Sequence, residues 1–456
     1  MLEAQEREQA PLFPPFATNS PHQEQGAEHA RLLQQSAPGH ARSAHFFMMG
    51  GFSLSTIFRE VEKSVTAPRG FRAGGTSCGI KSEAGTRDLA VLISDVPCVA
   101  AGTFTTSKTY AAPVSVCKTR LQGGKAQAII VNSGNANCAT GELGLQNAYR
   151  MTEFVAKKFN LPEELVLCSS TGIIGRQLPI EKIEAGVRAM KVSTEAGFTF
   201  SEAIMTTDTR PKRIALEFEI EGRTVRLGAA TKGVGMIYPN MATMLCYLTT
   251  DAAVEGAWLQ KELKAAVDDS FNMIAVDGDM STNDTCILMA NGLAGNTPLN
   301  DQHPDVNTFR EALRRVTQYL AIEQVRDGEG AKKIMTVHVH RAKDKADAVR
   351  AARAITLSPI WKCALAGGDP NWGRISSTLG ASGSEVDRDT YDISVGDVQL
   401  MQAGLAADYD QGAAKAAMAG DEVTITIDLH LGEGEATAWG CDLTYGYIDE
   451  NSLYTR

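Results

Sequence analysis

The sequence predicts an α+β protein in which mixed α and β layers are organised on antiparallel sheets. Three observations carry this. Val423, Ile425, Ile427, Leu429 and Leu431 alternate strictly with polar residues, as a strand with one buried face does. Leu259, Leu263 and Val267 recur every fourth residue, and Phe309, Leu313, Val316 and Leu320 keep helical spacing, so two amphipathic helices are expected around them. Strand-like and helix-like segments interleave without a regular strand-helix-strand rhythm or a fixed-period repeat, which argues against a doubly wound or repetitive architecture.

Taken from the N-terminus, residues 1–64 predict a disordered extension. Its first 44 residues are rich in Gln, Pro, Ser, His and Ala, and Glu3, Glu6 and Glu8 argue against a mitochondrial presequence. The apolar stretch "HFFMMGGFSLSTIF" that follows is too short for a membrane helix and lacks the basic flank of a secretory signal. From residue 65 onward short apolar runs are punctuated by Gly, Asn and Thr. Strands are expected at Leu89 to Ser94, Val99 to Thr105, Ala128 to Asn132, Leu165 to Ser169, Arg213 to Ile220 and Arg223 to Ala229, the last two flanking a Glu221-Gly222 turn. Helices are expected at Gly144 to Phe159 and at Pro179 to Met190, where a proline suits a first turn. The alternating run at 423–431 is followed by "GEGEA" and "TAWGCDLTYGYI", which together predict an antiparallel hairpin.

Composition narrows the function classes. With 43% hydrophobic residues over 456 positions the chain can bury a large core, and its formal charge of -10 offers no general basic surface for nucleic acid or anionic lipid. Small molecules are the expected partners. Nine cysteines scattered without a Cys-x-x-Cys pair indicate buried thiols in a reducing, cytoplasmic compartment, with neither a disulfide framework nor a zinc site. Four of the eight histidines lie in the head region, and none of the others falls in a glycine-rich or strand-end stretch, so a Ser-His-Asp machine has little support. His338 and His340 share one face of "TVHVH", where solvent-facing residues are expected more readily than a metal pair. The acidic run "DGDMSTNDT" lacks the ligand spacing and closing glutamate of a calcium loop, and no metal is expected. No phosphate-binding or dinucleotide motif is present, and no cofactor is implied.

One stretch stands apart. In "KGVGMIYPNMATMLCYLTTDA", residues 232–252, Pro239 and Asn240 interrupt an otherwise buried strand just before Ala242 and Thr243. A threonine hydroxyl needs a base, and if the peptide bond before it is cut, its own freed α-amine is within reach to serve as one. That amine, with a reference pKa of roughly 7.7 to 8.0, is substantially neutral at cellular pH once a desolvated pocket or a neighbouring lysine lowers it. The alternative reading is a strand hydroxyl beside a bulge.

The segment resembles the self-cleavage region of the glutamate N-acetyltransferase family, also called ornithine acetyltransferase. Further segments resemble that family in the same order, over about residues 65–456: "TAPRGFRAGGTSCGIK", "GTFTTSKTYAAPV", "VNSGNANCATG", "SSTGIIGRQLP", "AIMTTDTRPK", "SFNMIAVDGDMSTNDT", "RDGEGAKK", "GGDPNWGRI" and "DENSLYT". The resemblance implies an aminopeptidase-like self-processing fold cut between Ala242 and Thr243 into an α chain, 65–242, and a β chain, 243–456, assembled as two of each. It implies Thr243 as nucleophile and Thr171 with Gly172 as the oxyanion hole. Substrate contacts are implied at Thr206, with Thr207 the close alternative, and at Lys232, Thr243, Glu329 and Asn451. The implied reaction moves an acetyl group from N2-acetyl-L-ornithine to L-glutamate, with acetyl-CoA a further donor left open; the alternatives are an amidohydrolase or aminopeptidase built on the same freed nucleophile, and a non-catalytic binding protein of the same fold. Asp369, Asn371 and Arg374 are expected to support the site from behind. One departure is at the tail, where Arg456 follows Thr455 in place of the family's final small hydroxyl residue, leaving that contact open.

Overall fold

In the computed structural model the described residues are 58–238 and 244–452. Among them sixteen strands form two sheets. The first is nine-stranded and contains β1 (Arg59–Glu60), β2 (Phe71–Thr76), β3 (Leu89–Phe104), β4 (Lys125–Asn135), β5 (Val166–Ile173), β6 (Lys212–Ile220), β7 (Arg223–Lys232), β8 (Leu245–Thr250) and β10 (Thr285–Ala290). Its order is β1-β6-β7-β8-β10-β3-β4-β5, with β2 paired to β3. The second sheet has seven strands, β9 (Ile274–Ala275), β11 (Ile334–Ala342), β12 (Asp392–Val395), β13 (Val398–Gln402), β14 (Leu405–Ala406), β15 (Glu422–Asp428) and β16 (Gly434–Cys441). Pairing is mostly antiparallel. It turns parallel where a helix carries the chain back, as between β4 and β5, joined through Gly141–Phe159, and between β8 and β10, joined through Gly256–Asp268.

The two segments expected around Leu89 and Val99 are one sixteen-residue strand, β3, whose register against β4 shifts between Ile93 and Cys98. Its first half is buried on both faces, and this is why it reads as an unbroken apolar run. Leu89, Val91 and Ile93 pack with the helices Gly141–Phe159 and Ile180–Ala189, whereas Ala90 and Leu92 pack against Phe71, Phe200 and Tyr247. The two amphipathic helices form as expected, at Gly256–Asp268 and Val306–Arg326. The second of these lies against β6, β7 and β16, joining the two sheets through one core.

Two expectations are corrected. The alternating run at 423–431 and the strand after "GEGEA" do not form a hairpin with each other. β11 inserts between them, parallel to β15 and antiparallel to β16, and its own alternating Met335, Val337 and Val339 join the same buried face as Val423, Ile425 and Ile427. The N-terminal boundary also moves. Of the residues assigned to a disordered extension, 58–64 belong to the fold: Phe58 packs its ring at a tilt against Phe218 and Arg59–Glu60 pair with Leu216 and Glu217, while residues 1–57 lie outside the described residues.

Candidate active site

The site is assembled from strand ends. β5 delivers Thr171 and Gly172, β7 ends on Lys232, and β8 starts just after Met244, the residue following Thr243. Ala242 and Thr243 themselves lie outside the described residues, as does Arg456.

Thr171 is buried, and Lys232 Nζ donates to its Oγ1 at 3.3 Å. With its oxygen accepting from the ammonium, the Thr171 hydroxyl hydrogen is left to point elsewhere, as a donor to an oxyanion must. Gly172 adopts φ +128°, and a Cβ there would come within 2.3 Å of the Gly134 carbonyl carbon and 2.6 Å of the Asn135 nitrogen. Only glycine fits. The "NSGNAN" segment explains this crowding, since it lies alongside Thr171 and Gly172 as the last turn of β4. Asn283 Nδ2 ties the two together by donating to the Ala136 and Ser170 carbonyls at 2.7 and 2.8 Å.

Lys232 is 3% exposed, and burial lowers its pKa from the ordinary lysine value against the opposing pull of Asp208. Asp208 is the hub beneath it. Its Oδ1 accepts from Lys212 Nζ at 2.7 Å and from the Gly233 N–H at 2.9 Å, and its Oδ2 accepts from the Thr206 N–H at 3.0 Å. Burial pushes this carboxyl up, but the charges of Lys212 and Lys232 outweigh it and hold the pKa at about 2. Lys212, itself inaccessible, also pairs with Asp327, which in turn receives the N–H and hydroxyl of Thr209. These bonds fix the 206–209 loop against the 327–329 turn.

Glu329 sits at the mouth of this arrangement, half-buried. Its Oε1 accepts from Thr207 Oγ1 and its Oε2 from Asn451 Nδ2, both at 2.8 Å. Of the two adjacent threonines, Thr207 therefore presents its side chain to the glutamate, while Thr206 enters through its backbone. The helix Tyr445–Ser452 that carries Asn451 seats on Gly330, where a Cβ would meet the Tyr447 nitrogen at 2.2 Å, and Thr444 Oγ1 donates to the Gly330 carbonyl at 2.6 Å.

The structure thus brings Thr171, Gly172, Lys232, Thr207, Glu329 and Asn451 into one connected set, with Thr206 at its backbone. It does not bring in the "GGDPNWGRI" residues. Among the described residues Asp369 accepts from Asn371 Nδ2 within the connection between the helices Pro359–Gly367 and Trp372–Ala381, and Arg374 on the second of these donates to the Ile360 carbonyl. Three carboxylates that sequence reasoning did not single out matter here: Asp208, and Asp277 and Asp284 from the acidic run. Asp284 is fully buried; its Oδ1 accepts from the Met244 N–H at 3.1 Å, and its Oδ2 has no hydrogen-bond partner among the described residues. Burial pushes its pKa well above the usual carboxylate range.

A two-sheet α+β chain whose strand ends gather a hydroxyl-glycine pair, a buried ammonium and a carboxylate with two side-chain donors is an enzyme built for a small charged molecule. The chain belongs to the ArgJ family, whose profile matches residues 72–456. It is 49% identical to the arginine biosynthesis bifunctional protein ArgJ of Symbiobacterium thermophilum over 393 residues, 86% of this chain and 98% of that one. With the protein of the same name from Bacillus subtilis the identity is 44% over 396 residues, 87% and 97% of the two chains. Among solved structures it matches the ornithine acetyltransferase of Mycobacterium tuberculosis complexed with ornithine, at 36% identity and a TM-score of 0.37, over 41% of this chain and 100% of that one.

Proposed function

We propose that the chain is a self-processing acetyltransferase of arginine biosynthesis, moving the acetyl group of N2-acetyl-L-ornithine to L-glutamate through an ester on Thr243. The observation that carries this reading is the convergence of Thr171, Gly172, Lys232, Thr207, Glu329 and Asn451 at the strand ends that flank the 242–243 bond. The names of the curated relatives, each an arginine biosynthesis bifunctional protein, support the pathway and a second activity; acetyl-CoA as the further donor is part of this proposal.

In this reading the bond before Thr243 is cut from within, giving chains that end at Ala242 and begin at Thr243. The freed amine takes the proton from Thr243 Oγ as the oxygen attacks the acetyl carbonyl. The Thr171 hydroxyl and the Gly172 N–H hold the developing oxyanion; one such donor contributes on the order of 3 kcal/mol to transition-state stabilisation. Ornithine leaves, and the amine of glutamate resolves the ester. Lys232 attracts the substrate carboxylate, and Glu329, steadied by Thr207 and Asn451, holds an ammonium group. No cofactor enters the cycle. The working assembly is two α and two β chains in the cytoplasm; among the described residues no helix is long and apolar enough to cross a membrane.

Intact mass of the protein beside a Thr243→Ala variant tests the reading. Two fragments in the wild type, the second starting at Thr243, and one chain in the variant are expected, with glutamate accelerating acetylornithine consumption. An uncut wild-type chain ends the proposal, and acetylornithine consumption indifferent to glutamate replaces the transferase with a hydrolase.

A further inference from the structure

The acidic run "VDGDMSTND" does not fit a metal loop, and two of its carboxylates, the half-buried Asp277 and the fully buried Asp284, face the backbone on either side of the proposed cleavage point. Upstream, Asp277 Oδ2 accepts from the Met236 N–H at 2.6 Å and Oδ1 from the Ile237 N–H at 2.9 Å. The neighbouring Val276 and Gly278 N–H groups donate to the Ile237 carbonyl at 3.0 and 3.4 Å, and the Glu329 N–H donates to the Val234 carbonyl at 2.8 Å. Downstream, Asp284 Oδ1 accepts from the Met244 N–H at 3.1 Å, and the Thr285 N–H donates to the Met244 carbonyl at 3.0 Å. The chain is therefore clamped up to Ile237 and again from Met244, with the 242–243 bond in the span between.

Met236 adds a second observation. It takes the left-handed conformation, φ +52°, that a residue with a Cβ adopts only at a cost of order 1 kcal/mol and keeps only where its surroundings enforce it. Asp277 contributes to this by holding the Met236 N–H and the next one.

We propose that Asp277 and Asp284 are positioning residues for self-cleavage, fixing the chain before and after the scissile bond so that Thr243 Oγ meets the Ala242 carbonyl. The inference rests on the cleavage proposed above. In the step they serve, the bond between Thr243 Oγ and the Ala242 carbonyl carbon forms, the bond from that carbon to the Thr243 nitrogen breaks, and the hydroxyl proton passes to the nitrogen. Water then splits the ester into the Ala242 carboxylate and the free hydroxyl. After cleavage the same contacts keep the new tail seated as far as Ile237.

The test follows conversion of freshly synthesised full-length chain into two fragments by intact mass, with thermal unfolding measured in parallel. Asp277→Asn, which keeps the size but removes one of two acceptors, and Asp284→Leu, which removes the acceptor for Met244, should each slow conversion about tenfold or more. Asp284→Asn retains a carbonyl acceptor and should cut within about twofold of the wild-type rate, a rescue that a purely volumetric role does not produce. Hydroxylamine, which attacks a formed ester directly, should leave the slowed variants slow. Wild-type conversion in folded Asp277→Asn and Asp284→Leu overturns the proposal, and so does recovery by hydroxylamine, which would put the defect after the attack. If one variant does not fold the other decides; if neither folds, the pair is a requirement of the fold and the proposal falls. An uncut wild-type chain instead overturns the cleavage itself.

Discussion

Thr207 Oγ1 donates to Glu329 Oε1 at 2.8 Å, joining residues 122 positions apart and on opposite sides of the proposed cleavage point. The bond ties Glu329, the carboxylate proposed to bind substrate, to a residue from the other side of that proposed cleavage. The other oxygen is occupied by Asn451 Nδ2, so Glu329 arrives with both of its oxygens organised by donors. Glu329→Gln turns one of those oxygens into an NH2 group facing another donor and removes the charge. KM for the amino-acid substrates should rise by about tenfold or more while kcat changes far less, the signature of lost ground-state and transition-state binding alike. Thr207→Val should reproduce part of the effect, and Thr206→Val, which leaves the backbone bond to Asp208 intact, should have little. A larger effect at Thr206 would reverse the assignment.

Gly172 is constrained twice, by its φ of +128° and by the 2.3 Å approach that a Cβ would make to Gly134. Gly175, in the same loop, has φ +82°, but a Cβ there would meet no heavy atom within 4 Å. Comparing the two alanine variants separates strain from collision. Gly175→Ala should destabilise by about 1 kcal/mol, and Gly172→Ala by more, with loss of activity as Thr171 shifts. Equal melting temperatures for the two variants would show that the close approach is relieved easily.

Much of this architecture was legible in the sequence for physical reasons that can be named. Leu259, Leu263 and Val267 declared a helix because one face had to be buried, and Val423 to Ile427 declared a strand for the same reason. Partners were not legible: nothing in residues 423–441 reveals that β11, some ninety positions earlier, separates the two strands. The site divides in the same way. Thr171, Gly172, Lys232, Glu329 and Asn451 stood out through motif resemblance, whereas Asp208, Asp277 and Asp284 resembled the acids of exposed loops. Their settings depend on Lys212 and on backbone N–H groups brought in from distant parts of the chain, and a local reading of "MTTDT" or "STNDT" contains neither.

Lys232 has its pKa lowered because burial outweighs the attraction of Asp208, so its charge is held at a net expense to stability. The role proposed for it is in the site and not in the fold. Lys232→Met should abolish acetyl transfer while leaving the melting temperature at or above that of wild type at neutral pH, since Asp208 keeps Lys212 at 2.7 Å. Calorimetry beside a transfer assay checks both halves. A marked fall in melting temperature would mean that the ammonium is needed to satisfy Asp208.

Asp208 has the opposite sign. Its folded pKa of about 2 lies below the unfolded value of roughly 3.9, so the folded state binds fewer protons and the carboxylate stabilises above that unfolded value. The contribution should disappear as pH falls from about 4 towards 2. Burial displaces Asp277 and Asp284 upward, and they act the other way: they take up protons on folding, so stability declines as pH rises from about 4 through their raised values. Asp208→Asn should lower stability at pH 7 towards the lower end of the roughly 3–5 kcal/mol range for breaking a buried pair, because Lys212 retains Asp327. It should also flatten the acid limb between pH 4 and 2 without altering the decline above it. Urea unfolding of both proteins across this range measures the difference, and an acid limb unchanged in the variant would assign it to other carboxylates.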